Sequence, residues 1–220
     1  MLESHLYVDL SQAFDSTSHK NLWIKLSFVG VSSHFINVIK NLYKKAKTKI
    51  RTTLGFTGLI NILKGVLQGE SVSPTLFTMH LEEIVKILKE RKVDGINLLL
   101  TELIILLYAD DITLMATNQL DLQKQIHILK ELFDSHLLKL KLTKTKVMIF
   151  SKSGKVPKSA KLFWGGNRLE IVNSYTYLGV TFFSNGIFNR TKDIFIKKSK
   201  LAINNRPCAI NLNEITLTFV

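Results

Sequence analysis

Apolar positions along this chain recur with two periods, and each period predicts a different element. Alternating or continuously apolar runs predict strands, and spacings of three and four predict amphipathic helices. Apolar runs at residues 5–10 and 147–150, with further ones at 162–164, 169–171 and 175–182, predict strands. Leu22, Leu26 and Val29 predict a helix over about 19–28, stopped by Gly30. Phe35, Val38, Ile39 and Leu42 predict a second, from Ser32 or Ser33 to about Lys45. Phe77, Leu81, Ile84 and Leu88 predict a third, with Ser73 as N-cap, Pro74 as first helical residue and Glu82–Lys86 as an outward pair. Leu122, Ile126, Leu129 and Phe133 form the core stripe of a fourth over about 119–138. A last helix is predicted over about 192–204, carrying Ile194, Ile196, Leu201 and Ile203. The most apolar stretch, 96–107, is interrupted by Asn97, Thr101 and Glu102, too short and too polar to span a bilayer. It predicts a buried strand pair.

Punctuation supplies the turns. Gly165-Gly166-Asn167-Arg168 signals a hairpin, Ser184-Asn185-Gly186 a turn, and residues 151–159 form the best linker. The chain opens almost directly on a strand, which predicts further sequence upstream, and the tail from Arg206 lacks periodicity.

Composition narrows the classes. A chain of 220 residues, 46% hydrophobic, can bury a core for one domain or somewhat more. A net charge of +13 and a pI near 9.8 call for a polyanionic partner, nucleic acid or an acidic membrane surface. The lone Cys208 excludes a disulfide framework and a cysteine-based zinc site, and fits a reducing compartment. No secretory leader is predicted, since Glu3 and Asp9 fall where a long apolar run would be needed. The histidines form no metal-spaced pair.

Candidate chemistry concentrates in Leu106-Leu107-Tyr108-Ala109-Asp110-Asp111-Ile112-Thr113-Leu114, which predicts a β-hairpin with the aspartates at its tip. Adjacent carboxylates repel and raise each other's pKa unless a cation lies between them. A divalent metal with hard oxygen ligands answers that need, and a plain polar turn is the alternative. The basic run Lys44, Lys45, Lys47, Lys49 and Arg51 is either a solvated helix end or a phosphate-facing surface. Gly65-Val66-Leu67-Gln68-Gly69-Glu70-Ser71-Val72-Ser73-Pro74 is a glycine-punctuated loop entering a helix, and is not a Walker A motif. It is either a turn with a cap or a bare backbone platform where a nucleotide approaches Gln68. Lys144 is a candidate functional lysine or a solvated strand start.

In order, these stretches resemble the reverse transcriptases of non-LTR (LINE-type) retrotransposons. Val8-Asp9-Leu10-Ser11-Gln12-Ala13-Phe14-Asp15 is similar to the first palm motif, residues 65–77 to the second, and Tyr108-Ala109-Asp110-Asp111 to the third. Residues 140–150, with Lys144-Thr145-Lys146, are similar to the fourth, and Tyr177-Leu178-Gly179-Val180 to the fifth, the primer grip. The likeness runs from about residue 6 to 186.

The resemblance implies an α+β fold: a polymerase palm with an antiparallel sheet, helices packed on one face, partial fingers and a truncated thumb. Palm and partial fingers would occupy residues 1–186, and a thumb-like helical tail 187–220. It implies RNA-directed DNA polymerisation by two-metal nucleotidyl transfer to a primer 3′-hydroxyl. Asp9, Asp110 and Asp111 would hold two Mg²⁺, with Mn²⁺ as a substitute, and Leu10 would offer its backbone carbonyl. Phe14, beside Ala13, would be the steric gate against a ribose 2′-hydroxyl. Gln68, Gly69 and Tyr108 would lie by the incoming nucleotide and template, and Lys144 by the leaving pyrophosphate. Implied partners are an RNA template, a DNA primer, dNTPs and the other domains of a larger polyprotein; no membrane partner is expected. The sequence departs from the family at Leu67, often Arg or Lys, at Glu70, commonly uncharged, and at Lys141, commonly Asn. The competing readings are an inactive retroelement remnant that binds nucleic acid through its basic surface, and an RNA-dependent RNA polymerase or other palm nucleotidyltransferase.

Overall fold

The strand that opens the chain becomes the centre of the sheet. The computed structural model describes residues 3–11, 13–67, 69–157 and 160–204. The first elements are β1 (Glu3–Val8), β2 (Leu10–Ser11), α1 (Ala13–Ser16), α2 (His19–Phe28) and α3 (Ser33–Lys45). A narrow ribbon follows: β3 (Lys47–Thr48) pairs β6 (Ile60–Asn61), and β4 (Arg51–Thr52) pairs β5 (Gly55–Phe56) within it. Then come α4 (Ser73–Glu90), the hairpin β7 (Ile96–Leu98) and β8 (Thr101–Leu103), the hairpin β9 (Ile105–Tyr108) and β10 (Asp111–Ala116), and α5 (Gln119–Ser135). The remainder is β11 (Lys139–Leu140), β12 (Lys146–Phe150), β13 (Phe163–Trp164), β14 (Asn167–Arg168), β15 (Glu170–Ile171), β16 (Ser174–Tyr177), β17 (Val180–Phe183) and α6 (Asn189–Asn204).

A five-stranded sheet in the order β15-β12-β1-β10-β9 forms the middle layer. It is antiparallel except at one edge, where β15 joins β12 in parallel. Cross-strand partners share a face. Leu6 pairs with Leu114 and Val147, and Val8 with Ile112, so these side chains all point one way. All of them are buried. Helix α5 covers that face with Leu122, Ile126, Leu129 and Phe133, and α4 packs beside it with Phe77, Leu81, Ile84 and Leu88, in one continuous core. Each such fully buried side chain contributes roughly 1.5–3 kcal/mol. The opposite face carries Tyr7, Thr113, Met115 and Met148 and is met by the β16–β17 hairpin, through Tyr175 stacked on Tyr7 at 4.2 Å.

Several elements differ from the sequence expectation. Helix α3 has the expected span, but buries Ile36, Ile39 and Tyr43 and leaves Phe35, Val38 and Leu42 exposed. The face turns because the Tyr43 ring packs edge-on against His19 and Trp23, and its hydroxyl accepts from Leu67 N–H at 3.4 Å. Val29 caps α2 and is exposed rather than buried with Leu22 and Leu26. Helix α4 is capped by Val72 with no side-chain bond; Ser73 lies inside it, and Lys86 pairs with Glu90 at 3.8 Å rather than with Glu82. The 96–107 stretch is not a buried pair: Leu98, Leu99 and Leu100 stand exposed at the β7–β8 tip. Residues 175–182 fold as two strands, because Leu178 and Gly179 both take positive φ (48° and 84°), the signature of a two-residue hairpin turn. The tail from Arg206 and Cys208 lie outside the described residues. Among the described residues no helix is long and apolar enough to cross a membrane.

Candidate active site

The register of the central strands brings distant carboxylates together. Val8 pairs with Ile112, and one residue further the same register sets Asp9 opposite Asp111. Both follow the alternation onto the face away from the helices. A slip by one residue would reverse this, and the buried apolar set on the other face forbids it. Tyr108 and Asp111 close the β9–β10 hairpin, so Ala109 and Asp110 form its turn. Ala109 takes φ +50°, a conformation that costs on the order of 1 kcal/mol or more in a residue with a Cβ. Asp110 is exposed at the tip and Asp111 is half-buried. The Asp111 carboxyl is held above its ordinary pKa, first by burial, then by the charges of Asp110 and Asp9. Asp9, Asp110 and Asp111 therefore share one field although a hundred residues separate the first from the others.

Asp9 interrupts the strand between β1 and β2, and the turn after β11 wraps around it. Its N–H donates to Thr145 Oγ1 at 3.2 Å, and its carbonyl accepts from Lys141 N–H at 2.8 Å. The Lys144 ammonium lies 3.7 Å from Asp9 Oδ2. Leu10 is buried and pairs with Leu140. Thr145, fully buried, stands in the Lys144-Thr145-Lys146 stretch of the fourth motif, where the sequence alone assigned it no role.

The glycine loop meets the first motif directly. Val66 N–H donates to the Phe14 carbonyl at 2.7 Å, Gly65 N–H to the Thr17 carbonyl at 2.8 Å, and His19 Nε2 to the Gly65 carbonyl at 2.7 Å. The Phe14 ring stacks on Phe77 of α4 at 4.7 Å. Gly69 stands exposed with φ +93°, and Tyr108 is exposed on β9. Ala13 opens α1, and its side chain and all of Gln68 lie outside the described residues. On the far side, Tyr175 sits close enough to Asp111 and Asp9 that its phenol is raised, by burial first and then by those two charges.

Carboxylate oxygens are the donors that a hard divalent cation takes, and the mutual repulsion of Asp9, Asp110 and Asp111 favours one. Among the described residues no group of three His, Cys, Asp or Glu side chains is gathered tightly enough to hold a metal ion as it stands. The donors fit such a cation by type and by their shared field, and a closed coordination shell would need them to draw together.

The family described as reverse transcriptase (RNA-dependent DNA polymerase) matches residues 3–182. The chain belongs to the reverse transcriptase family. This reverse transcriptase chain is 27% identical, over 84% of its length, to a Retrovirus-related Pol polyprotein from the type-1 retrotransposable element R2 of Popillia japonica, and covers 31% of that protein. It is 26% identical, over 88% of its length, to the Pol polyprotein of the type-2 element R2DM of Drosophila melanogaster, covering 19% of it. The reverse transcriptase chain thus spans a third or less of these curated relatives, which are of the non-LTR retrotransposon type. Among solved structures, it resembles telomerase from Candida albicans in complex with a fragment of telomeric RNA, at TM-score 0.58 and 14% identity, covering 84% of this chain and 30% of that one. It also resembles apo telomerase from Candida tropicalis, at TM-score 0.56 and 15% identity, over 84% and 35% of the two chains. That likeness is one of fold, and it agrees with a reverse transcriptase palm built of mixed helices and sheet.

Proposed function

We propose that this reverse transcriptase domain adds deoxynucleotides to a primer 3′-hydroxyl on an RNA template, with Asp9, Asp110 and Asp111 as the carboxylates that hold two Mg²⁺ ions. The observation that carries the reading is the shared field of the three carboxylates: the Asp111 carboxyl is pushed above its ordinary pKa, by burial first and then by the charges of Asp110 and Asp9. When bound, such a cation pair supplies charge neutralisation at the attacking and leaving oxygens. Phosphoryl transfer asks the protein chiefly for positioning and electrostatics. On this reading the chain's own groups have distinct tasks. Leu10 offers its carbonyl beside Asp9. Phe14, braced by Phe77 and by the Val66 N–H, crowds the sugar of the incoming nucleotide next to Ala13. Gln68, Gly69 and Tyr108 border the nucleotide and template. Lys144, 3.7 Å from Asp9, meets the charge of the leaving pyrophosphate. Residues 1–186 act as palm with partial fingers and 187–220 as the start of a thumb, within a larger retroelement polyprotein. The net charge of +13 suits a template and primer backbone.

The test is primer extension on poly(rA)/oligo(dT) with Mg²⁺, comparing the chain with Asp110→Asn. Extension by the wild type that the substitution abolishes is expected. Binding of primer–template without extension by the wild type would refute catalysis and favour a nucleic-acid-binding remnant. Incorporation of rNTPs as fast as dNTPs would refute the role given to Phe14 and point to an RNA polymerase.

A further inference from the structure

We infer that Thr145 is a positioning residue that aims Asp9, an inference that rests on the reading of Asp9 as a cation-holding carboxylate. Asp9 lies where one ladder ends and another begins. Pairing of β1 stops at Val8↔Ile112 on one side and Tyr7↔Lys146 on the other, and pairing of β2 with β11 starts at Leu10↔Leu140. The Asp9 carbonyl continues the β2–β11 register to Lys141, but its N–H is left to find an acceptor outside the two ladders. Both of its groups go to the same turn: N–H to Thr145 Oγ1 at 3.2 Å, C=O from Lys141 N–H at 2.8 Å. Fixing both peptide groups fixes the direction of the Asp9 Cα–Cβ bond, so the turn that carries Thr145 holds the carboxylate on the face the sheet register assigns it.

The two bonds differ in what they ask of the sequence. Any residue at 141 supplies a backbone N–H. The acceptor at 145 must be a short side-chain hydroxyl in a site with no exposure. A β-branched threonine is stiff at χ1 and holds that oxygen in one place. The turn itself is closed independently of the hydroxyl, by Thr145 N–H to the Lys141 carbonyl at 2.9 Å. Valine at 145 therefore keeps the shape and the turn and deletes only the acceptor; serine keeps the acceptor. Groups that orient a metal-holding side chain typically govern affinity by 10–100-fold.

The experiment measures Mn²⁺ binding to the full chain by paramagnetic resonance for wild type, Thr145→Val, Thr145→Ser and Asp9→Asn, with amide hydrogen exchange at Asp9 read by NMR. The expected result is binding about tenfold weaker or more in Thr145→Val, faster Asp9 amide exchange in that variant alone, and near-wild-type behaviour in Thr145→Ser. Thr145→Val binding Mn²⁺ as tightly as wild type, or Thr145→Ser as impaired as Thr145→Val, would overturn the inference. If Thr145→Val does not fold, the wild-type Asp9 amide decides: protection like that of the ladder amides supports the inference, and exchange as fast as an exposed turn overturns it. An Asp9→Asn protein that binds Mn²⁺ normally would instead reject Asp9 as a cation ligand, an outcome separate from the exchange result that judges Thr145.

Discussion

Substituting Gly65 with alanine isolates the joint between the glycine loop and the first motif. Gly65 has φ +89°, and a Cβ there would meet Asp15 Cα at 2.8 Å and the Asp15 and Phe14 carbonyl oxygens at 3.0 Å. All three are backbone atoms, so no side-chain rotation relieves the overlap. Gly69 is the internal control: its φ is +93°, and nothing lies within 4 Å of its Cβ position. Gly69→Ala therefore carries only the left-handed backbone cost, about 1–2 kcal/mol. Gly65→Ala adds about 1–3 kcal/mol of overpacking, for a total of roughly 2–5 kcal/mol. In a domain of this size 1 kcal/mol moves the melting temperature by about 2–4 °C. Urea denaturation at unchanged m-value and thermal melting should rank wild type above Gly69→Ala and Gly69→Ala above Gly65→Ala. The overlap also displaces the Phe14 carbonyl that holds Val66, so Gly65→Ala should raise the KM for dNTP in primer extension. Equal destabilisation by the two substitutions would refute the claim that the loop is docked on the backbone of Phe14 and Asp15.

Two further outcomes follow from titrating groups. The Asp111 carboxyl has a raised folded-state pKa, so its contribution to stability is present when it is protonated and is lost as pH rises through that pKa. Asp111→Asn should therefore melt higher than wild type at pH 7 in EDTA, with the gap narrowing as pH falls into the carboxylate range, while extension is lost; a lower melting temperature at pH 7 would contradict the cause given for the shift. His80 is buried, with its pKa lowered to about 4 by burial first and then by the charges of Lys25 and His136. Its folded-state pKa lies below the ordinary 6.5, so stability is complete above 6.5 and falls as pH drops toward 4, by about 3 kcal/mol. His5 behaves alike, its pKa also lowered to about 4 by burial, so His80→Leu should remove about half of the acid sensitivity in urea melts at pH 7 and pH 5. An unchanged slope would refute it.

Periodicity was enough to read what depends on neighbours in the chain. The stripe Leu122, Ile126, Leu129 and Phe133, the stripe Phe77, Leu81, Ile84 and Leu88, the span of α2 and the hairpin carrying Asp110 all emerge from local spacing, and all recur in the structure. What misled were positions whose fate depends on a partner far away. Phe35, Val38 and Leu42 have helical spacing as good as that of Ile36 and Tyr43, and the contacts of Tyr43 with His19, Trp23 and Leu67 choose between the two faces. Leu98, Leu99 and Leu100 are as apolar as a core strand but sit at a hairpin tip.

The candidate site divides along the same line. The adjacent pair Asp110-Asp111 and the glycine loop with Gln68 and Gly69 are visible in local sequence, and the resemblance in motif order added Asp9 and Phe14. That Asp9 comes beside the Asp110-Asp111 hairpin is decided by the antiparallel register of β1 with β10, since pairing across about a hundred residues leaves no trace in local spacing. The hydroxyl of Thr145 came to matter in the same way: a threonine before a strand is ordinary until the fold ends a ladder at Asp9 and leaves its N–H in need of an acceptor.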